Sequence, residues 1–169
     1  MNGQEGFQAI PQSREDYVAF LWSDKPNRAH AVLVEIFCEQ FPGARYAIGN
    51  APLAIRAVSG DVYGTGSTSL LDPVYIFKGK LRAAATRAKF HDSADLRWLE
   101  AQYSDQLRAN VGQFNLQYIG LALKRYPELE LMFARIGVNV TAAKQTVAQL
   151  NFNQLPAPAP GDVHRGILG

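Results

Sequence analysis

Residues Leu70–Leu99 read LLDPVYIFKGKLRAAATRAKFHDSADLRWL, and this stretch decides the fold. From Pro73 the apolar residues Val74, Phe77, Leu81, Ala84 and Ala88 step by three, four, three and four. That is the period of one helix face turned to a core, so the spacing predicts a helix over Pro73–Lys89. Asp92 is placed to cap a second helix, with Asp95 at its third position and Leu96, Leu99 and Tyr103 inward. Leu107, Val111, Phe114, Tyr118 and Leu121 continue the same period. Pro127 opens a further turn and Gly137 closes it. Thr141 is read as the cap of a last helix through Val147 and Leu150. From Asn151 the chain carries PAPAP, a proline-rich extension.

Working back from Leu70, the segment Ser59–Ser69 (SGDVYGTGSTS) is rich in glycine, serine and threonine and reads as a loop. Ala51–Val58 reads as a brief helix with Pro52 in its first turn. Ala44–Ile48 is a short strand. Two further helices are expected upstream. One is capped by Ser13 and buries Tyr17, Phe20 and Leu21; the other is capped by Asn27 and buries Val32, Leu33, Ile36 and Phe37. The reading is therefore a mostly helical α+β fold, with six or seven helices and one or two short strands. A single domain spans 13–150, between an N-terminal arm at 1–12 and the extension at 151–169.

Composition narrows the classes. A chain of 169 residues has the length of one domain and enough apolar content, 47%, to bury a core without disulfides or metal. The net charge of +2 is too small to argue for nucleic acid, and the single Cys38 excludes an internal disulfide. No apolar run approaches the ~18 residues of a membrane-spanning helix. The opening MNGQEGFQAIPQSRED has no basic patch before an apolar core and does not read as a signal peptide. A cytoplasmic protein is expected.

Two stretches resemble parts of the nucleotidyltransferase superfamily, in the style of its fungal and minimal members. Phe41–Ile55 (FPGARYAIGNAPLAI) is similar to the strand, double glycine and helix that open that fold, with Gly49-Asn50 in the double-glycine position. Leu70–Leu99 resembles the helix that follows the catalytic strands, through Pro73, Lys80-Leu81, Arg87, Lys89, Asp92 and Asp95-Leu96. The resemblance implies a truncated nucleotidyltransferase-like core. It also implies a glycine-serine pair and an aspartate-x-aspartate that hold magnesium, a hard cation needing clustered oxygens. Between the two stretches this chain offers only Asp61, with Tyr63 where a second aspartate is required. The resemblance thus implies a relative that has lost nucleotidyl transfer.

Ligand-binding candidates are Tyr46, Asn50, Asp61, Tyr63 and Lys80, which the glycine loop and the short strand are expected to bring together. Tyrosine offers an apolar face and a hydroxyl, a common pocket lining. Lys78 and Arg82 are one turn apart on the predicted helix and are the anion-binding candidates; pairing of this basic face with Asp92, Asp95 and Glu100 is the structural alternative. GTGSTS lacks the lysine and spacing of a P-loop. His30, His91 and His164 are scattered, so no metal site is expected, and no cofactor is implied. The expected function is a non-catalytic nucleotidyltransferase-like binding protein for a small organic molecule or a protein partner. The alternative is a metal-independent isomerase or cyclase acting in the remodelled pocket. Neither a membrane nor a strong nucleic-acid signal is read, and a homo-oligomer fits either function.

Overall fold

The computed structural model describes residues 6–13, 17–25, 27–37, 53–61, 64–87 and 89–151. Tertiary contacts group the chain into two compact units, residues 1–49 and 50–169.

The first unit is a three-stranded antiparallel meander. Strands β1 (Phe7–Ile10), β2 (Tyr17–Trp22) and β3 (Val32–Phe37) pair in chain order. This corrects the two helices expected here, and places Phe7–Ile10 of the supposed arm in a strand. Val32-Leu-Val-Glu-Ile-Phe is rich in β-branched and aromatic residues, which fit a pleated surface better than a helix. Tyr17, Phe20 and Leu21 match a helical spacing only because the run is too short to tell periods apart. Asn27 caps no helix. Its side chain accepts from the Ala29 amide at 3.1 Å, inside a connection where Arg28 and His30 both adopt φ 55°. The Ser23 hydroxyl closes that connection by donating to the Ala29 carbonyl at 3.0 Å. Ala19 and Phe20 are buried, and the Phe7 ring meets Phe20 edge-on at 6.0 Å between centroids.

The second unit opens with a β-hairpin, β4 (Leu53–Gly60) and β5 (Gly64–Leu71), in which Gly60 faces Gly64 and Leu53 faces Leu71. A brief helix at 51–58 and a loop at 59–69 were the expectations for this region; the structure replaces both with strands. The reason is exposure. Most residues of both strands face solvent, so no buried face imposes an alternating apolar pattern on the sequence. Ala44–Ile48, the expected strand, lies outside the described residues.

Five helices follow among the described residues: α1 (Pro73–Thr86), α2 (Phe90–Ala109), α3 (Leu116–Arg125), α4 (Glu130–Arg135) and α5 (Val140–Thr146). Single 3-10 turns at Val111–Gln113 and Pro127–Leu129 join α2 to α3 and α3 to α4. Val74, Phe77, Leu81 and Ala84 of the α1 stripe are all buried as read, but the helix ends at Thr86 instead of Lys89, with Arg87 extended, and Ala88 lies outside the described residues. Around it the core gathers Leu96 and Leu107 of α2, Ile119 of α3, and Met132 and Phe133 of α4. The expected continuous stripe from Leu107 to Leu121 is interrupted: Asn110 ends α2, and Asn115 caps α3 by accepting from the Gln117 and Tyr118 amides. Gly137, at φ 89°, follows α4 as expected, because a left-handed residue there suits glycine. Asn139, rather than Thr141, caps α5. The described part is thus α+β with two small antiparallel sheets, and holds more strands and fewer helices than the sequence suggested. None of its helices is long and apolar enough to cross a membrane.

Cross-helix ion pairs tie this bundle. Arg135 donates to both oxygens of Glu100, at 3.0 and 2.7 Å, and only 7% of Glu100 is exposed. The Arg135 hydrogen bonds hold the Glu100 carboxyl below its ordinary range; burial opposes this, and the charges of Arg135 and Arg108 reinforce it. A lowered folded value stabilises the fold above the unfolded carboxylate range, and that share is lost as pH falls through the folded value. Glu100→Gln is therefore expected to lose about 2 kcal/mol at neutral pH, a figure held down by the half-exposed Arg135 partner. Its stability should also fall less steeply than the parent's between about pH 5 and pH 3. Urea midpoints across that range check this, and parallel acid profiles for parent and variant would rule the coupling out.

Candidate functional site

The end of β5 borders a concavity of the second unit. At Asp72 the chain leaves the strand with extended backbone (φ −58°, ψ 137°), and Pro73 enters the first turn of α1 with its φ already suited to a helix. Asp72 Oδ1 accepts from the Val74 amide at 2.8 Å and the Tyr75 amide at 3.4 Å, which caps α1. Asp72 Oδ2 accepts from Gln106 Nε2 at 2.9 Å, which ties the cap to the last turns of α2. There Asn110 Nδ2 donates to the Gln106 carbonyl at 2.8 Å, and Gln113 Nε2 donates to Asn110 Oδ1 at 2.7 Å. Between these carboxamides and the first turn of α1 lies a cavity of about 260 Å³. Val74, Tyr75 and Lys78 complete its lining.

Two of these side chains are unusual. Tyr75 is 6% exposed, and its hydroxyl is the one buried side-chain polar atom without a hydrogen-bond partner among the described residues. An unpaired buried hydroxyl costs free energy, so such groups are rare and call for a reason. Burial raises the Tyr75 pKa, which keeps the hydroxyl protonated at neutral pH, a donor and not a phenolate base. Lys78 lies one turn on, half-buried, and makes no hydrogen bond or ion pair with any described residue. The cavity therefore presents the Lys78 ammonium, without a partner among the described residues, and the Asp72 carboxylate, while the Tyr75 hydroxyl is closed off from it.

The residues singled out in the sequence are distributed differently. Tyr46, Asn50 and Tyr63 lie outside the described residues. Asp61 sits exposed in the turn that follows β4. Lys80 is not a free cation: its Nζ lies 2.7 Å from Asp95 Oδ2. Arg82 places its guanidinium carbon 6.0 Å from the centre of the Tyr118 ring, outside the cavity's lining. Of the four that lie among the described residues, Asp61, Lys78, Lys80 and Arg82, only Lys78 lines the cavity. Asp72, Tyr75, Gln106, Asn110 and Gln113 were missed. The signal available for Asp72 was Asp-Pro at a helix start, which reads as a cap. The three carboxamides come to the site from more than thirty residues along the chain, and no local pattern announces them.

The likeness in Leu70–Leu99 also acquires a physical meaning. Arg87 grips Asp92 through three contacts between 2.9 and 3.3 Å, and Asp92 is fully buried. It is no N-cap: α2 begins at Phe90, and Asp92 stands in its first turn, where a carboxylate also complements the helix dipole. Arg87–Asp92 and Lys80–Asp95 are thus two clamps between α1 and α2, the pairing that was the alternative to an anion site. No group of three His, Cys, Asp or Glu side chains is gathered for a metal among the described residues. Comparison with protein-family models, curated proteins and solved structures finds no match to the chain.

Proposed function

We propose that this protein is a non-catalytic binding protein for a small polar molecule, taken up in the cavity between the start of α1 and the end of α2. The observation that carries the reading is Lys78: a half-buried ammonium in the wall of the cavity that no described residue pairs, beside the Asp72 carboxylate. A ligand in the cavity would complete its bonding. A volume of about 260 Å³ suits a small metabolite, below the roughly 300–1,000 Å³ of pockets for drug-sized ligands. The wall favours binding over proton-transfer catalysis. Tyr75 stays protonated, and three of the four lone-pair directions of Asp72 are already used. The protein would then be a nucleotidyltransferase-like chain put to a new use, with the residues of its likeness to that superfamily serving as interhelical clamps.

Lys78→Met tests this reading. In calorimetry of the intact chain against a panel of small polar molecules, the parent is expected to bind at least one, and the variant to bind it roughly tenfold or more weaker. A variant that binds as tightly as the parent, or a parent that binds none of them, would sink the reading. Turnover of any molecule that binds would move the balance to the isomerase or cyclase alternative.

A further inference from the structure

We infer that the ligand is a small zwitterion of the α-amino acid class. This rests on the cavity being the binding site, and extends it from the arrangement of charge in the wall. The cavity is bipolar. Lys78 brings three ammonium donors, none used by a described residue. Asp72 brings a carboxylate with one lone-pair direction left on Oδ2 after the Gln106 bond. A ligand carboxylate would pair with Lys78, and a ligand ammonium with Asp72 Oδ2. Lys78 would then gain a partner that no described residue supplies, and Asp72 a fourth hydrogen bond.

Other ligand classes fit less well. A nucleotide carries about two negative charges on phosphate, but Lys78 is the one cation among the described lining residues, beside a carboxylate that would repel it. The α1 amides that would receive a phosphate at a helix N-terminus are already occupied by Asp72 Oδ1. A simple anion would answer Lys78 and leave Asp72 opposed. A neutral sugar would leave the Lys78 charge unanswered. Beyond the two poles, Gln106 and Gln113 have each spent one amide N–H inside the protein, which leaves each with a second N–H and a side-chain carbonyl oxygen for a ligand.

The intact chain is titrated by calorimetry at neutral pH with the standard free α-amino acids. The N-acetyl and α-carboxamide derivatives of the tightest follow, then acetate, nucleoside monophosphates and neutral monosaccharides. At least one free amino acid should bind, and blocking either end should weaken it roughly tenfold or more. Lys78→Met should abolish discrimination against the carboxamide. Asp72→Asn, which keeps a residue that caps as well, should abolish discrimination against the N-acetyl form. Far-ultraviolet circular dichroism and melting curves confirm that both variants are folded. If acetate or the N-acetyl derivative binds as tightly as the free amino acid, the zwitterion class is overturned, while the cavity stands as an anion site. If nucleotides or sugars bind and no amino acid does, the class is overturned and the binding site stands. If no probe binds, both fall together.

Discussion

Gly120→Ala is expected to destabilise the second unit by about 3 kcal/mol, although alanine is the better helix former. Gly120 is buried in the middle of α3, with ordinary helical backbone, so propensity alone would favour alanine by about 1 kcal/mol. Packing decides against it. A Cβ at this position would run into the Ala143 carbonyl oxygen of α5 and come within 2.7 Å of Val147 Cγ2. Backbone is the obstacle, so no side-chain rotation relieves it, and α5 would have to move away as a body. Gly112→Ala is the matched control: a Cβ there meets nothing within 4 Å, and that variant should equal or exceed the parent. Urea unfolding of both variants checks the pair. A Gly120→Ala protein as stable as the parent would show that α3 and α5 do not pack at this distance in solution.

The second large effect is Phe77→Ala, expected to cost about 3–5 kcal/mol. Phe77 is fully buried on α1, with its ring centroid 4.9 Å from that of Phe114 and 6.4 Å from that of Phe133, the latter edge-on. Truncation removes the ring's transfer free energy and leaves a hole whose walls belong to separate elements, which cannot collapse together without losing their own contacts. Against a typical total of about 5–15 kcal/mol, this approaches unfolding. Phe90→Ala supplies the comparison, because Phe90 is 87% exposed at the start of α2 and should change stability by about 0.5 kcal/mol or less. Thermal and urea melts of the two alanine variants should therefore differ widely. Equal losses would mean that the three-phenylalanine cluster is not the centre of the core.

Both predictions rest on the helical half, which was the half legible in the sequence. Val74, Phe77, Leu81 and Ala84 are buried because a helix of this length repeats its core face often enough for the period to be unmistakable. Pro73 at the start of that stripe, and Gly137 after α4, marked boundaries by chemistry that acts over a few residues. The strands were illegible for two different reasons. In β2 and β3 the runs are six residues long, too few to separate a period of two from one of 3.6. In β4 and β5 the exposed faces leave no alternation at all, so GTGSTS has the composition of a loop while forming a ladder with its partner strand. The site divided along the same line. Lys78 was visible as a cation on a helix; Asp72 was not singled out. Their meeting with Gln106, Asn110 and Gln113, and the stranding of the Tyr75 hydroxyl without a partner, depend on where the end of α2 packs against the start of α1. Sequence determined which faces are apolar and where helices begin. The closing of the chain on itself decided which polar groups are paired and which remain for a ligand, because pairing is a property of positions brought together across long separations and not of any one stretch.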